Sequence, residues 1–304
     1  HYMVKKYCSD LACSFKDLNY IRHFPIDKII EEIKYLLKNY KNIKMFLFDD
    51  DLFTFNKDYV ANFCSEYKKI TGLPFVVNAH VNFFDEERAV ALASANCRIV
   101  KFGLESGSPE IRNKVLNRHM TNEKIIDAIS ITNKAGMHSS VFVMIGLPFE
   151  TKDDLMQTVK LLGDSMPGRF RWTFFFPFPG TESYHITENG GFVNHSKMRE
   201  LVNFTDESCL DFGAEQNLLL KKVGKIMPWF VNAFSKMECA EFYKRRVTEI
   251  LDMDEQRWNA VCQDILKEDK QISVKLQKKN ISHFAVKYNP FMGVISDYFM
   301  NEKN

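Results

Sequence analysis

Four short segments carry residue types that packing alone does not require. Residues 48–53 read FDDDLF, three carboxylates directly after an apolar run. Carboxylates at a strand end can receive a cationic ligand group through charge-assisted hydrogen bonds, although the bare pattern also suits a solvated turn or a helix N-cap. Residues 102–112 read FGLESGSPEIR. Ser108 followed by Pro109 is a helix start, and Ile111 at the third helical position rules out a capping box. Capping therefore explains Ser108 and Pro109 but not Glu105. Residues 144–151 read MIGLPFET, a Gly-Pro turn that lets backbone approach a ligand closely, with Thr151 placed to cap the next helix. Residues 176–184 read FPFPGTESY, a rigid Pro-Gly turn. His80 and Asn82 follow a further apolar run. A lone His at a strand end reads first as a hydrogen-bonded structural residue, so His80 is the weaker candidate.

These segments must be held by something, and the pattern around them supplies it. Residues 25–40, 57–70, 85–95, 108–117, 122–135 and 152–166 carry helical apolar spacing. Residues 43–48, 74–81, 98–105, 139–147 and 171–178 are short apolar runs suited to strands covered on both faces. Many of the 27 Phe lie on these strands. Strand and helix alternate in units of roughly 30–35 residues, the βα pattern of a parallel sheet or barrel. Each candidate segment falls in the loop after a strand, where α/β barrels build their active sites.

The chain has 304 residues with a net charge of +2 and 45% hydrophobic residues. The size allows two domains or one barrel with an extension. The balanced charge gives no nucleic-acid-binding signal, the apolar content argues against disorder, and no apolar run approaches the ~18 residues of a membrane span. The seven cysteines (Cys8, Cys13, Cys64, Cys97, Cys209, Cys239 and Cys262) are odd in number and scattered, which points to a reducing cytoplasm rather than a disulfide framework.

The four loops, in order and at βα spacing, resemble the radical SAM enzymes. The closest likeness is the subgroup whose full-length members often carry an N-terminal cobalamin-binding domain. The family pattern after successive strands is Phe-x-Asp-Asp-x-Phe, Gly-x-Glu-Ser-Gly, Ile-Gly-Leu-Pro-x-Glu-Thr and Pro-x-Pro-Gly-Thr, and it covers residues 1 to about 190. The resemblance implies S-adenosylmethionine (SAM) and a [4Fe–4S] cluster as cofactors, with cobalamin an option in the full-length protein. In that family the cluster passes one electron to SAM, which cleaves to methionine and a 5′-deoxyadenosyl radical. The cofactors carry this chemistry while the barrel orients them. The implied SAM-binding residues are Asp50 and Asp51 near the methionine ammonium, Asn82, Gly103 with Glu105 and Ser106 near the ribose or carboxylate, Gly146 and Leu147 with their backbone against the adenine, and Pro177 on the rim. His80 departs from the Arg common there, and Ala95-Asn96 departs from a common Ala-Gly. No catalytic residue and no metal ligand is assigned within the chain.

The family's cluster cysteines form C-x3-C-x2-C in the loop after the first strand. Cys8 and Cys13 have C-x4-C spacing with no third cysteine in reach, and cluster ligands must converge on one loop; they are expected to be structural thiols. The opening His1-Tyr2-Met3-Val4-Lys5-Lys6-Tyr7 resembles the continuation of that loop, so the sequence is expected to begin just downstream of the cluster motif. The expected fold is thus α/β: a partial (β/α)6 TIM-like barrel lacking its first strand (1–190), followed by a mostly helical C-terminal region (191–304) in which Trp229 and Trp258 are core. The resemblance also implies a small-molecule or modified-metabolite substrate and an electron donor such as ferredoxin or flavodoxin. The alternative is a degenerate barrel that binds SAM or scaffolds a partner without chemistry. An aldolase-type barrel would need a Schiff-base Lys or a metal triad at strand ends, and the sequence shows neither.

Overall fold

The computed structural model describes residues 22–201, 207–289 and 294–300. Cys8, Cys13 and the His1–Tyr7 segment lie outside them. Five parallel strands appear in chain order: β1 (Phe46–Phe48), β2 (Phe75–Ala79), β3 (Cys97–Glu105), β4 (His138–Ile145) and β5 (Arg169–Phe174). Helices connect them, as the alternation predicts for a partial (β/α)6 barrel.

The strands are apolar toward the helices. On β3, Val100, Phe102 and Leu104 are buried, while Lys101, Gly103 and Glu105 point to the opposite face by the two-residue period of a strand. That face is the inside of the sheet. Helix ends follow the sequence signals closely. Asn56, Asp85, Thr121 and Thr151 each cap a helix through the side-chain oxygen, and Thr151 with Asp154 completes a capping box. Ser108 caps the helix Pro109–Lys114.

Most strands are shorter than expected, β1 beginning at Phe46 rather than 43, β2 ending at Ala79 rather than 81 and β4 at Ile145 rather than 147, and two ends have a visible cause. The helix after Ser108 stops at Lys114 rather than continuing to 117, because Asn117 is left-handed (φ 50°) and Arg118 N–H turns back to the Arg112 carbonyl at 2.8 Å. The last parallel strand ends at Phe174 rather than 178, with Phe175 N–H making one further bond to Ile145 O at 2.9 Å; Pro177 then has no N–H for the ladder.

The C-terminal region is mostly helical, with helices Ala214–Ala233, Ala240–Leu251, Glu255–Val261 and Ile265–Lys278. It also returns to the sheet. Strands β6 (His283–Asn289) and β7 (Val294–Met300) form an antiparallel hairpin, and β7 pairs with β5, giving the order β1-β2-β3-β4-β5-β7-β6. Asn232 anchors β6 by donating to Phe284 O (2.9 Å) and accepting from Phe284 N–H (2.8 Å). One apolar core runs from Ile33 to Phe284 and includes Trp229 and Trp258. We propose residue 190 as a change of architecture above that shared core.

The long helix bends at Ile226 (φ −139°, ψ 40°), two residues before Pro228. Pro228 has no N–H, so the carbonyl four residues earlier, at Gly224, loses its helical donor. The Trp172 indole N–H on β5 takes that place at 2.7 Å. Gly224 also allows the helix close to Phe174: a Cβ there would lie 2.5 Å from the ring.

Candidate functional site

The C-terminal ends of β1–β4 and the loops beyond them enclose a cavity of about 1520 Å³. Among the residues expected to bind a cofactor, Asp51, Asn82, Gly103 and Glu105 line it. His80 lines it too.

Glu105 ends β3 in a left-handed conformation, φ 67°. A non-glycine residue there is strained, and such strain persists where surroundings hold it. The pairing of β3 with β4 shifts register between Gly103 and Glu105, so the Glu105 side chain folds back over Gly103. A Cβ on Gly103 would collide with the Glu105 carboxylate and approach Arg118 Nη2 to 3.1 Å. The glycine is therefore a cradle for the carboxylate. Arg118 Nη1 pairs with Glu105 Oε1 at 2.9 Å, the carboxylate side chain being 15% exposed. Burial pushes the Glu105 carboxyl up from its ordinary value, and the Arg118 charge offsets part of that. Arg118 Nε is buried without a hydrogen-bond partner.

Arg118 lies in a polar loop that no sequence motif marks. Arg112 builds that loop. Fully buried, it donates to Ser106 O (2.6 Å), Met120 O (3.0 Å) and Asn122 Oδ1 (2.6 Å). It thereby ties the turn after Glu105 to the end of the Arg118 loop. Asn82 adds a second tie by donating to His119 O at 2.9 Å. His80 accepts from Asn82 N–H (3.2 Å), and burial followed by the Arg118 charge holds its pKa down.

The three aspartates divide. Asp49 accepts from Asn78 Nδ2 at 3.0 Å. Asp50 accepts from Leu52 N–H at 2.8 Å and so shapes the turn. Asp51 lines the cavity.

The structure places the remaining candidates outside the cavity lining. Ser106 is fully buried in its own turn, accepting from Ser108 N–H at 3.2 Å and lying 3.4 Å from Thr158 Oγ1. Gly107 N–H donates to Thr158 at 2.7 Å, and a Cβ on Gly107 would strike the backbone at Gln157 and Thr158. Gly146 is left-handed (φ 69°), and its N–H donates to Glu150 Oε2 at 2.7 Å. Leu147 is fully buried, and Ser208, Phe212 and Leu220 lie over Gly146. Glu150 is itself buried, with Oε1 lacking a partner, and burial pushes its carboxyl up to about 8. Pro177 is buried; the same loop reaches the cavity three and four residues later, at Gly180 and Thr181.

No group of three or more His, Cys, Asp or Glu residues able to hold a metal ion occurs among the described residues. Cys64, Cys97, Cys209 and Cys239 are buried free thiols, and burial holds Cys64 up to about 12 and Cys239 up to about 11. No helix among the described residues is long and apolar enough to cross a membrane.

A parallel α/β sheet with a cavity at the C-terminal ends of its strands is the architecture of a barrel-type fold. The sequence signature of the Radical SAM superfamily matches residues 11–162, half of the chain. The chain belongs to that superfamily of enzymes. An uncharacterized methyltransferase of Pyrococcus horikoshii is 31% identical over 171 residues, covering 55% of this chain and 37% of that protein. The anaerobic magnesium-protoporphyrin IX monomethyl ester cyclase of Rubrivivax gelatinosus is 24% identical over 160 residues, covering 52% and 28%. The chain thus spans well under half the length of these relatives. Among solved structures, the radical S-adenosylmethionine methyltransferase TsrM of Kitasatospora setae, with cobalamin and a [4Fe–4S] cluster bound, superposes with a TM-score of 0.47 at 20% identity over 54% of this chain and 34% of that one.

Proposed function

We propose that the chain is the SAM-binding part of a radical SAM enzyme and that the cavity above β1–β4 receives the cofactor. The observation that carries this reading is the Gly103–Glu105–Arg118 constellation. The backbone is strained to present one carboxylate to a cavity, and glycine is required beside it. Such strain costs on the order of 1–3 kcal/mol, and at Glu105 it coincides with a carboxylate on the cavity lining.

The residues present suit SAM. Glu105 offers a carboxylate for ribose hydroxyls or the ammonium. Asp51 offers a second carboxylate at the cavity edge. Arg118 supplies a cation already oriented by Glu105, with a buried Nε that still lacks an acceptor. When bound, SAM supplies an activated sulfonium. The chain's own work is to bind and orient it: Arg112 and Asn82 hold the Arg118 loop, and Gly103 fixes the Glu105 rotamer. The described residues do not suit the cluster, since no three thiolates converge among them, and no step is derived through it. Cobalamin-dependent methyl transfer is the finer reading. The Pyrococcus horikoshii relative, named a methyltransferase, supports methyl transfer, and cobalamin, the substrate and the electron donor belong to the same proposal.

Equilibrium binding of SAM to the chain tests the site. Glu105→Ala and Asp51→Ala should each weaken binding about 10-fold or more, the scale of a lost charge-assisted contact, with Asp50→Ala and Ser106→Ala closer to wild type. Unchanged binding in Glu105→Ala would contradict the assignment.

A further inference from the structure

The inside of the sheet is polar well below the mouth. Register aligns Asn78 on β2 with Lys101 on β3, Lys101 with Ser140 on β4, and Ser140 with Arg169 on β5. These four residues form one row across four strands, and Arg169 donates to Ser140 Oγ at 3.0 Å within it. One step toward the mouth, the next row brings Gly103, Phe142 and Arg171 together, the Arg171 guanidinium lying 5.8 Å from the Phe142 ring centroid. Lys101, Asn78 and Phe142 line the same cavity as Glu105.

Lys101, Arg169 and Arg171 face inward at this depth; the two arginines have partners of their own, Ser140 for Arg169 among them, and Asp49, whose charge acts on Lys101, is engaged by Asn78. Glu105 is four residues nearer the mouth, roughly 10–13 Å along the strand, and is already paired with Arg118. The Lys101 ammonium makes no ion pair or hydrogen bond among the described residues. A half-buried ammonium facing a cavity without a partner is costly, and it is the kind of group that recognises an anion.

We propose that Lys101, flanked by Asn78, is the seat of an anionic group of the substrate, a carboxylate or a phosphate, held deep in the cavity beneath SAM. The inference rests on the reading of the mouth as the SAM site, because that reading leaves the depth of the cavity to the substrate. Burial and the charges of Arg171 and Arg169 hold the Lys101 pKa below its ordinary value, with Asp49 opposing. An anion seated there would raise it. Lys101 is then a specificity residue, selecting substrates that carry a negative charge at a fixed distance from the reacting centre.

The test titrates the chain with inorganic phosphate and with succinate, each with and without saturating SAM, in wild type, Lys101→Met and Lys101→Arg. Lys101→Met keeps the stem length, and circular dichroism checks its fold. The expected result is anion binding that persists with SAM present, falls about 10-fold or more in Lys101→Met, and is largely kept in Lys101→Arg, with SAM affinity within about twofold throughout. Anion binding equal in wild type and Lys101→Met would overturn the proposal. So would an anion displaced by SAM together with SAM affinity lost in Lys101→Met, which would assign the ammonium to the SAM carboxylate. If wild type binds no SAM, the reading of the mouth fails, while the titrations without SAM still decide the role of Lys101.

Discussion

Glu105 Oε1 and Arg118 Nη1 meet at 2.9 Å above Gly103, and both residues line the cavity. The pair is half-shielded from solvent, so its strength lies between that of a surface ion pair and a buried one. Its value is orientation: a carboxylate left free would sample several rotamers before binding anything.

Gly103→Ala is expected to fold, because the cavity lies open on that side, but to displace the Glu105 carboxylate. SAM affinity should fall by about as much as in Glu105→Ala, on the order of 10-fold. Binding measurements on the single variants and on Gly103→Ala/Glu105→Ala check this. The double variant should lose no more than either single one, the signature of two residues acting through one contact.

SAM binding should weaken toward acid. Burial raises the Glu105 carboxyl, so it takes up its proton at higher pH than a free Glu. Below that raised pKa the side chain is neutral and the charge complement to Arg118 and the ligand is lost. A pH series of affinities should show this loss, and Glu105→Gln should flatten it.

Stability should carry the signature of Glu150. Its folded-state carboxyl is up at about 8 against an ordinary value of 4.5. The folded state therefore holds a proton that the unfolded chain has released across that window, and stability falls as pH rises through it, by up to about 1.4 kcal/mol per pH unit. Glu150→Gln keeps an acceptor for Gly146 N–H and removes the ionisation. Denaturant unfolding at pH 5 and pH 8 should show a larger loss for wild type than for Glu150→Gln.

Trp172→Phe should cost about 1–3 kcal/mol, because the Gly224 carbonyl is left buried without a donor. Thermal unfolding reads this. The variant should leave SAM affinity near wild type, since Trp172 faces the helices and not the cavity.

The order and type of β1–β5 were legible because each is a short apolar run bounded by a capped helix. Glu105 was legible because capping accounted for Ser108 and Pro109 and left the carboxylate over. Arg118 was not, because it sits in KVLNRHM, a polar loop with no spacing signal, and its role depends on a left-handed turn at Asn117. Arg112 sits within a helix, where periodicity gives no warning that an arginine is fully buried. The β6–β7 hairpin had a faint signal in the Pro290 and Gly293 between two mixed apolar runs. The bend at Ile226 was legible from Pro228, but the donor that compensates it comes from β5, more than fifty residues away, and no local pattern encodes it.

Glu105, held by Gly103 and Arg118, is the residue on which the proposed SAM site turns. The most direct measurement is calorimetric titration of SAM into the wild-type chain and Glu105→Ala under identical conditions. The structure predicts binding to wild type and an affinity lower by about 10-fold or more in Glu105→Ala. Equal affinities in the two proteins would contradict it.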